Sequence, residues 1–178
     1  IWRLQCGIEK TLQQLLEEGW VELNVVDGCI LPNLKMAGED ERCSFLDHSG
    51  RCSIHKSRPG ICRLFPLGRY YQDGDFRYFL QIHECREKNR SKVKVSKWID
   101  TPRQQEAHAF LCSWHELLGR IEKRVAGRED SSQAKELNMA LLKIFYFESY
   151  RPDRDFYEQY QERMSRLNKL WTDINTNQ

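Results

Sequence analysis

The chain has no apolar run approaching the ~18 residues that a membrane span requires, so no transmembrane segment is expected. It lacks a strong charge of either sign: the formal sum over 178 residues is +2. A near-neutral sum gives no global reason to bind nucleic acid. There is no Gly-rich phosphate loop, no dinucleotide fingerprint and no Gly-x-Ser-x-Gly elbow, which removes the sequence signals of nucleotide-dependent enzymes and of α/β-hydrolases. No secretory leader is visible. The chain opens on Ile1-Trp2-Arg3-Leu4 without an initiator Met, so an interior start is expected, with further ligands upstream of it. Also missing are the close Cys-x2–4-Cys pairs that make zinc-finger knuckles. Seven cysteines are present, an odd number that disulfides cannot fully pair. Without a secretory signal, a reducing cytoplasm with thiols kept reduced or metal-bound is expected.

Apolar residues at 40% and charged residues at 30% permit a buried core. Leu4, Ile8, Leu12, Leu15 and Leu16 recur at helical spacing and predict a helix over 3–18 that Gly19 stops. Val21, Leu23 and Val25 alternate ahead of Asp27-Gly28, a favoured two-residue turn, so residues 21–32 read as a hairpin. A second hairpin is expected over 68–80, turning at Asp73-Gly74 with aromatics on both sides. Arg51–His55 reads as a short strand. Thr101-Pro102 carries the signals of a helix start. That helix is expected to reach Val125 with Phe110, Leu111, Trp114, Leu117, Leu118 and Ile121 as its buried stripe. Two more helices are expected, over 132–149 and, after a break at Arg151-Pro152-Asp153, on to about Ile174. The fold class implied is α+β. A compact cysteine-rich domain of short β-hairpins and helices, residues 1–100, precedes a helical C-terminal segment, residues 101–178, that packs on it.

The cysteines divide by context. Cys6, Cys29 and Cys112 lie among apolar neighbours in regular elements and read as small buried hydrophobes. Cys43, Cys52, Cys62 and Cys85, spaced Cys-x8-Cys-x9-Cys-x22-Cys, lie beside turns and short strands, where backbone can wrap around a centre. Four thiolates can close a tetrahedral zinc site or hold one iron–sulfur cluster. The cluster is favoured, [4Fe–4S] foremost, because its size suits dispersed ligands. Gly50 permits a tight turn between Cys43 and Cys52, and Pro59 stiffens the approach to Cys62.

The stretch from Cys43 to Leu67 reads Cys-x-Phe-Leu-x-x-x-Gly-x-Cys-x-Ile-His-x-x-Arg-Pro-x-x-Cys-Arg-x-Phe-Pro-Leu. It resembles the signature of the YkgJ-like cysteine-cluster family of zinc- or iron-chelating proteins, a domain that flagellin lysine methylases share. The likeness covers residues 1–115. It implies Cys43, Cys52, Cys62 and Cys85 as metal ligands. That family also has an upstream Cys-x2-Cys-x2-Cys-Cys-like run, which this chain does not contain.

Around the thiols, Arg58 and Arg63 are candidate cofactor-binding residues, as donors that offset a multiply negative thiolate cage; surface salt bridging is the alternative. His48, His55 and His83 each stand within a few residues of a candidate ligand, and imidazole suits both zinc and iron, but a lone histidine is more often a surface residue. His108 and His115, about two helical turns or ~10 Å apart, share a face and read as structural. The basic residues Arg86, Lys88, Arg90, Lys92, Lys94 and Lys97 read as a solvated connector, and nucleic acid is not expected as a partner. Two functions follow. One is a metal-cofactor protein, iron–sulfur or zinc, serving redox or a modifying reaction. Lysine methyl transfer is its narrowest form, for which the chain offers no cofactor motif. The other is a structural-zinc module whose helical C-terminal segment engages a protein partner.

Overall fold

The computed structural model describes residues 1–84, 91–126 and 131–176. In chain order these form α1 (Trp2–Ile8), α2 (Leu12–Glu17), β1 (Val21–Val26), β2 (Cys29–Leu34), β3 (Met36–Ala37), β4 (Arg42–Cys43) and a 3-10 turn (His55–Ser57). Then come α3 (Gly60–Leu64), β5 (Leu67–Gln72), β6 (Asp75–Leu80), α4 (Val95–Ile99), α5 (Gln104–Ala126), α6 (Ser131–Leu142), a π-helical turn (Lys143–Phe147) and α7 (Phe156–Thr176). Among the described residues the strands pair as three separate two-stranded antiparallel sheets. Helices and short hairpins together make an α+β protein whose C-terminal region is helical, as the sequence pattern implies. No helix among the described residues is long and apolar enough to cross a membrane. The chain divides into two compact units, residues 1–57 with 120–178, and residues 58–119.

In the first unit, the helix expected over 3–18 is two helices. Glu9 takes left-handed backbone, φ 54°, and ends α1. Thr11 then caps α2: its hydroxyl accepts from the Gln14 N–H while the Gln14 side chain accepts from the Thr11 N–H. This capping box satisfies two orphan donors and restarts the helix. The apolar spacing survives the break, so Leu4, Leu12 and Leu15 bury together with Val21 and Phe45 as one core. Gly7 faces the 3-10 turn, where any Cβ would overlap the Ser57 side chain.

β1 and β2 pair in the register Val26↔Cys29. That leaves Asp27-Gly28 as a two-residue turn with φ 49° and 75°, the type I′ geometry whose twist matches the flanking strands. Asn138 of α6 clamps this turn. Its side chain is 5% exposed, accepts from the Ile30 N–H at 2.6 Å, and donates to the Gly28 and Ala134 carbonyls at 3.0 Å each. A second polar clamp closes the other end of the same helical stretch. The helix expected to reach Ser149 instead widens into the π turn after Leu142. There Arg163 of α7, 7% exposed, donates to the carbonyls of Ile144, of Glu148 (2.8 Å) and of Ser149 (3.1 Å). Its guanidinium also lies 3.6 Å from the Tyr150 ring centroid. A cation on these carbonyls satisfies acceptors that a helix end leaves orphaned. Trp2 stacks on Phe156 at 4.8 Å, tying α1 to α7. The strand expected at Arg51–His55 is reduced to a single bridge, Leu46↔Cys52, followed by the 3-10 turn.

In the second unit, β5 and β6 pair in the register Gln72↔Asp75, so Asp73-Gly74 forms the turn, with φ 52° and 79°. Across the sheet Phe79 covers Gly68, and a Cβ at Gly68 would overlap its ring. The helix expected from Thr101 starts at Gln104, because Arg103 has φ 55° and cannot join it. The Phe65–Pro66 peptide is cis. Of the basic stretch, residues 86–90 lie outside the described residues, and Lys97 belongs to α4.

Two outcomes test this fold. Asn138→Leu removes the clamp and leaves the Ile30 N–H and Gly28 C=O without their partner, so chemical denaturation is expected to show a loss of about 2 kcal/mol or more. Cys29 supplies the second. It is buried, and burial, with Glu122 and Asp27 adding to it, pushes its thiol from 9.0 up to about 11. Below pH 9 the thiol is protonated whether the chain is folded or not. Between about 9 and 11 the unfolded chain gives up a proton that the fold retains, so stability falls as pH rises. Cys29→Ala is expected to flatten that alkaline slope in urea titrations, and an unchanged slope would refute the assignment.

Candidate metal centres

Cys43 and Cys52 bound a loop in the first unit that its own hydrogen bonds fold back on itself. Cys43 lies in β4, opposite Met36, and packs against the Leu4–Phe45 core. Phe45 is the loop's anchor, buried and edge-on to Trp20 at 5.0 Å. Its carbonyl accepts from both the N–H and the hydroxyl of Ser53, each at 2.9 Å. Farther out the Asp47 N–H donates to the Arg51 carbonyl at 2.8 Å. The tip is organised by one carboxylate oxygen: Asp47 Oδ1 accepts from Ser49 N–H (2.9 Å), Ser49 Oγ–H (2.7 Å) and Arg51 N–H (2.9 Å). These bonds, that of the Ser49 side chain first, hold the Asp47 carboxyl below its ordinary range. Gly50 completes the turn at φ 76°. The result places Cys43 and Cys52 on the two arms of one folded-back loop, each half-buried.

Cys62, also half-buried, lies in α3 of the second unit. The next residue, Arg63, ties that short helix to α4. Its Nε donates to the Ile99 carbonyl at 3.1 Å, and its terminal nitrogen bonds the Asp100 carbonyl and pairs with the Asp100 carboxylate at 3.1 Å. Trp98 adds an Nε1–H bond to the Phe65 carbonyl at 3.0 Å. Arg58 is different: its Nε is buried and has no hydrogen-bond partner among the described residues. A buried guanidinium nitrogen without an acceptor is costly, and a thiolate or cluster sulfur would supply the acceptor. Arg58 is thus an unsatisfied buried donor four residues before Cys62, within the same unit. Cys85, the fourth candidate, lies outside the described residues, while His48, His55 and His83 are all exposed. Of the cysteines expected to be buried, Cys29 is, Cys112 is half-buried, and Cys6 is exposed on α1.

A second constellation lies wholly in the 58–119 unit, and sequence spacing did not single it out. Asp75, the first residue after the β5–β6 turn, meets His108 and Cys112 of α5, and one ligand atom from each lies within 4.8 Å of the others. His108 Nε2 is 2.8 Å from Asp75 Oδ1, and Cys112 Sγ is 3.9 Å from His108 Nδ1. The Phe76 N–H also donates to Asp75 Oδ1 at 2.7 Å. Stacking orients the imidazole: His108 lies on Phe76 at 4.7 Å, and His115 lies on Tyr71 at 3.7 Å. Burial, with the Asp75 charge adding to it, pushes the Cys112 thiol up. The available signal was the i, i+4 spacing of His108 and Cys112, which puts two soft ligands on one helix face.

No curated protein and no solved structure matches the chain. A family model does, over residues 7–93, the CxxCxxCC model described as "Putative zinc- or iron-chelating domain". The match takes in the Cys43–Cys52 loop, Cys62, Arg58 and Cys85, so residues 7–93 of this chain are similar to that zinc- or iron-chelating domain.

Proposed function

We propose that this domain holds an iron–sulfur cluster on Cys43, Cys52, Cys62 and Cys85 and serves redox chemistry or a modifying reaction in a reducing cytoplasm. Zinc on the same thiolates is the second reading. The observation that carries the proposal is the buried Nε of Arg58, without a partner among the described residues and four residues before Cys62, within a family match whose chemistry is metal chelation. A bound cluster supplies one-electron transfer at a potential set by its hydrogen bonds and surroundings. The chain's own residues prepare the donors. Asp47 and Gly50 fold the loop that carries Cys43 and Cys52. Arg63 holds α3, and with it Cys62, against α4. Arg58 presents a cationic donor to sulfur.

Anaerobic purification with metal analysis tests this. Visible charge-transfer absorption with iron and acid-labile sulfide is the expected result. A colourless protein with bound zinc would replace the cluster by a structural ion, and a folded protein binding neither metal would end both readings. Ser substitutions at Cys43, Cys52, Cys62 and Cys85 are each expected to lower metal content, whereas Cys6→Ser leaves it unchanged. Arg58→Gln is expected to keep the iron but lower the reduction potential, because a positive charge beside a cluster favours its reduced form.

A further inference from the structure

We infer that Asp75, His108 and Cys112 form a second, separate metal site for a single divalent ion of the zinc class. His108 and Cys112 fall beyond the residues that the family model matches, so the site is not part of the cysteine cluster. The donor set is one carboxylate, one imidazole and one thiolate. Hard ions such as magnesium and calcium select oxygen ligands alone, whereas zinc accepts oxygen, nitrogen and sulfur together.

The spacing fits. In a tetrahedral zinc site the bond lengths place neighbouring ligand atoms roughly 3.3–3.6 Å apart. Here one donor atom from each of Asp75, His108 and Cys112 lies within 4.8 Å of the other two, so the three must draw inward to share one ion through a single imidazole nitrogen. Small rotations of two partly exposed side chains close the difference, since the His108 and Asp75 side chains are 48% and 69% exposed.

The three residues are also held in place before any ion arrives. His108 and Cys112 are one turn apart on α5. Asp75 is fixed by the type I′ turn before it and by the Phe76 N–H. Phe76 is buried and stacks on the imidazole. Ligands set on a helix and a rigid hairpin lose little freedom on binding. An exposed Asp–His pair alone is worth little, and does not account for a thiol one turn away on the same face of α5. Three protein ligands leave one coordination position open to solvent, which is the pattern of an exchangeable or catalytic zinc rather than a closed structural one.

The test is residue-specific thiol labelling of the full chain, with zinc chloride as the probe. Cysteines are alkylated with iodoacetamide, with and without zinc, and read by peptide mass spectrometry. Zinc is expected to slow labelling of Cys112 at least about tenfold, the scale on which losing even a supporting partner of a bound ion is felt. The exposed Cys6 serves as internal control and keeps its rate. His108→Ala, a surface change, is expected to abolish protection, and Asp75→Asn to raise the zinc needed for it about tenfold or more. Circular dichroism checks that both variants remain folded. Cys112 labelling at the same rate with and without zinc, or protection that survives His108→Ala, would overturn the site. Absorption by an iron–sulfur cluster is expected to be unaffected by either variant, so this site and the cysteine cluster fail or stand separately.

Discussion

Two Asp-Gly turns set the register on which each unit is built. In both, two consecutive residues adopt left-handed backbone, and Gly bears that conformation without the Cβ penalty that other residues meet. A one-residue slip in either hairpin would exchange its faces. In the first unit that slip would take Ile30 and Gly28 away from Asn138, the buried side chain that bonds them. In the second it would turn Asp75 from the α5 face that carries His108 and Cys112. The chemistry at the edge of the second hairpin therefore depends on the backbone of residues 73 and 74.

Both hairpins were legible in the sequence because their determinants are local: a turn pair and alternation on either side of it. The helical core was legible for the same reason, since Leu4, Leu12 and Leu15 keep their spacing. What escaped is instructive. Glu is a good helix former, so nothing at Glu9 announces the left-handed residue that splits the first helix. Arg103 hides the late start of α5 in the same way. Asn138 reads as one more polar helix residue until the hairpin that it clamps is in place. Cys6 reads as a core thiol because its neighbours are apolar, yet it lies on the outer face of a short helix.

The candidate sites divide along the same line. The Cys43–Cys52 loop is nearly contiguous, and its Gly, Pro and Cys positions can be read as a motif. The Asp75–His108–Cys112 group joins a hairpin to a helix some thirty residues away in the chain, and only docking of one on the other creates it. His108 and Cys112 stand i, i+4 on α5, a closer spacing than that of His108 and His115. His115 does keep a packing role, against Tyr71.

Gly7 gives the loop a mechanical link that is easily overlooked. The space where its side chain would stand belongs to Ser57, so α1 and the 3-10 turn that follows Cys52 approach each other at backbone distance. A helix interior is normally a poor place for glycine; here the missing methyl lets two segments fifty residues apart touch. The first helix and the thiol-bearing loop are thereby coupled, so that melting of one would release the other, and a metal that grips the loop would also tighten the chain's opening helix.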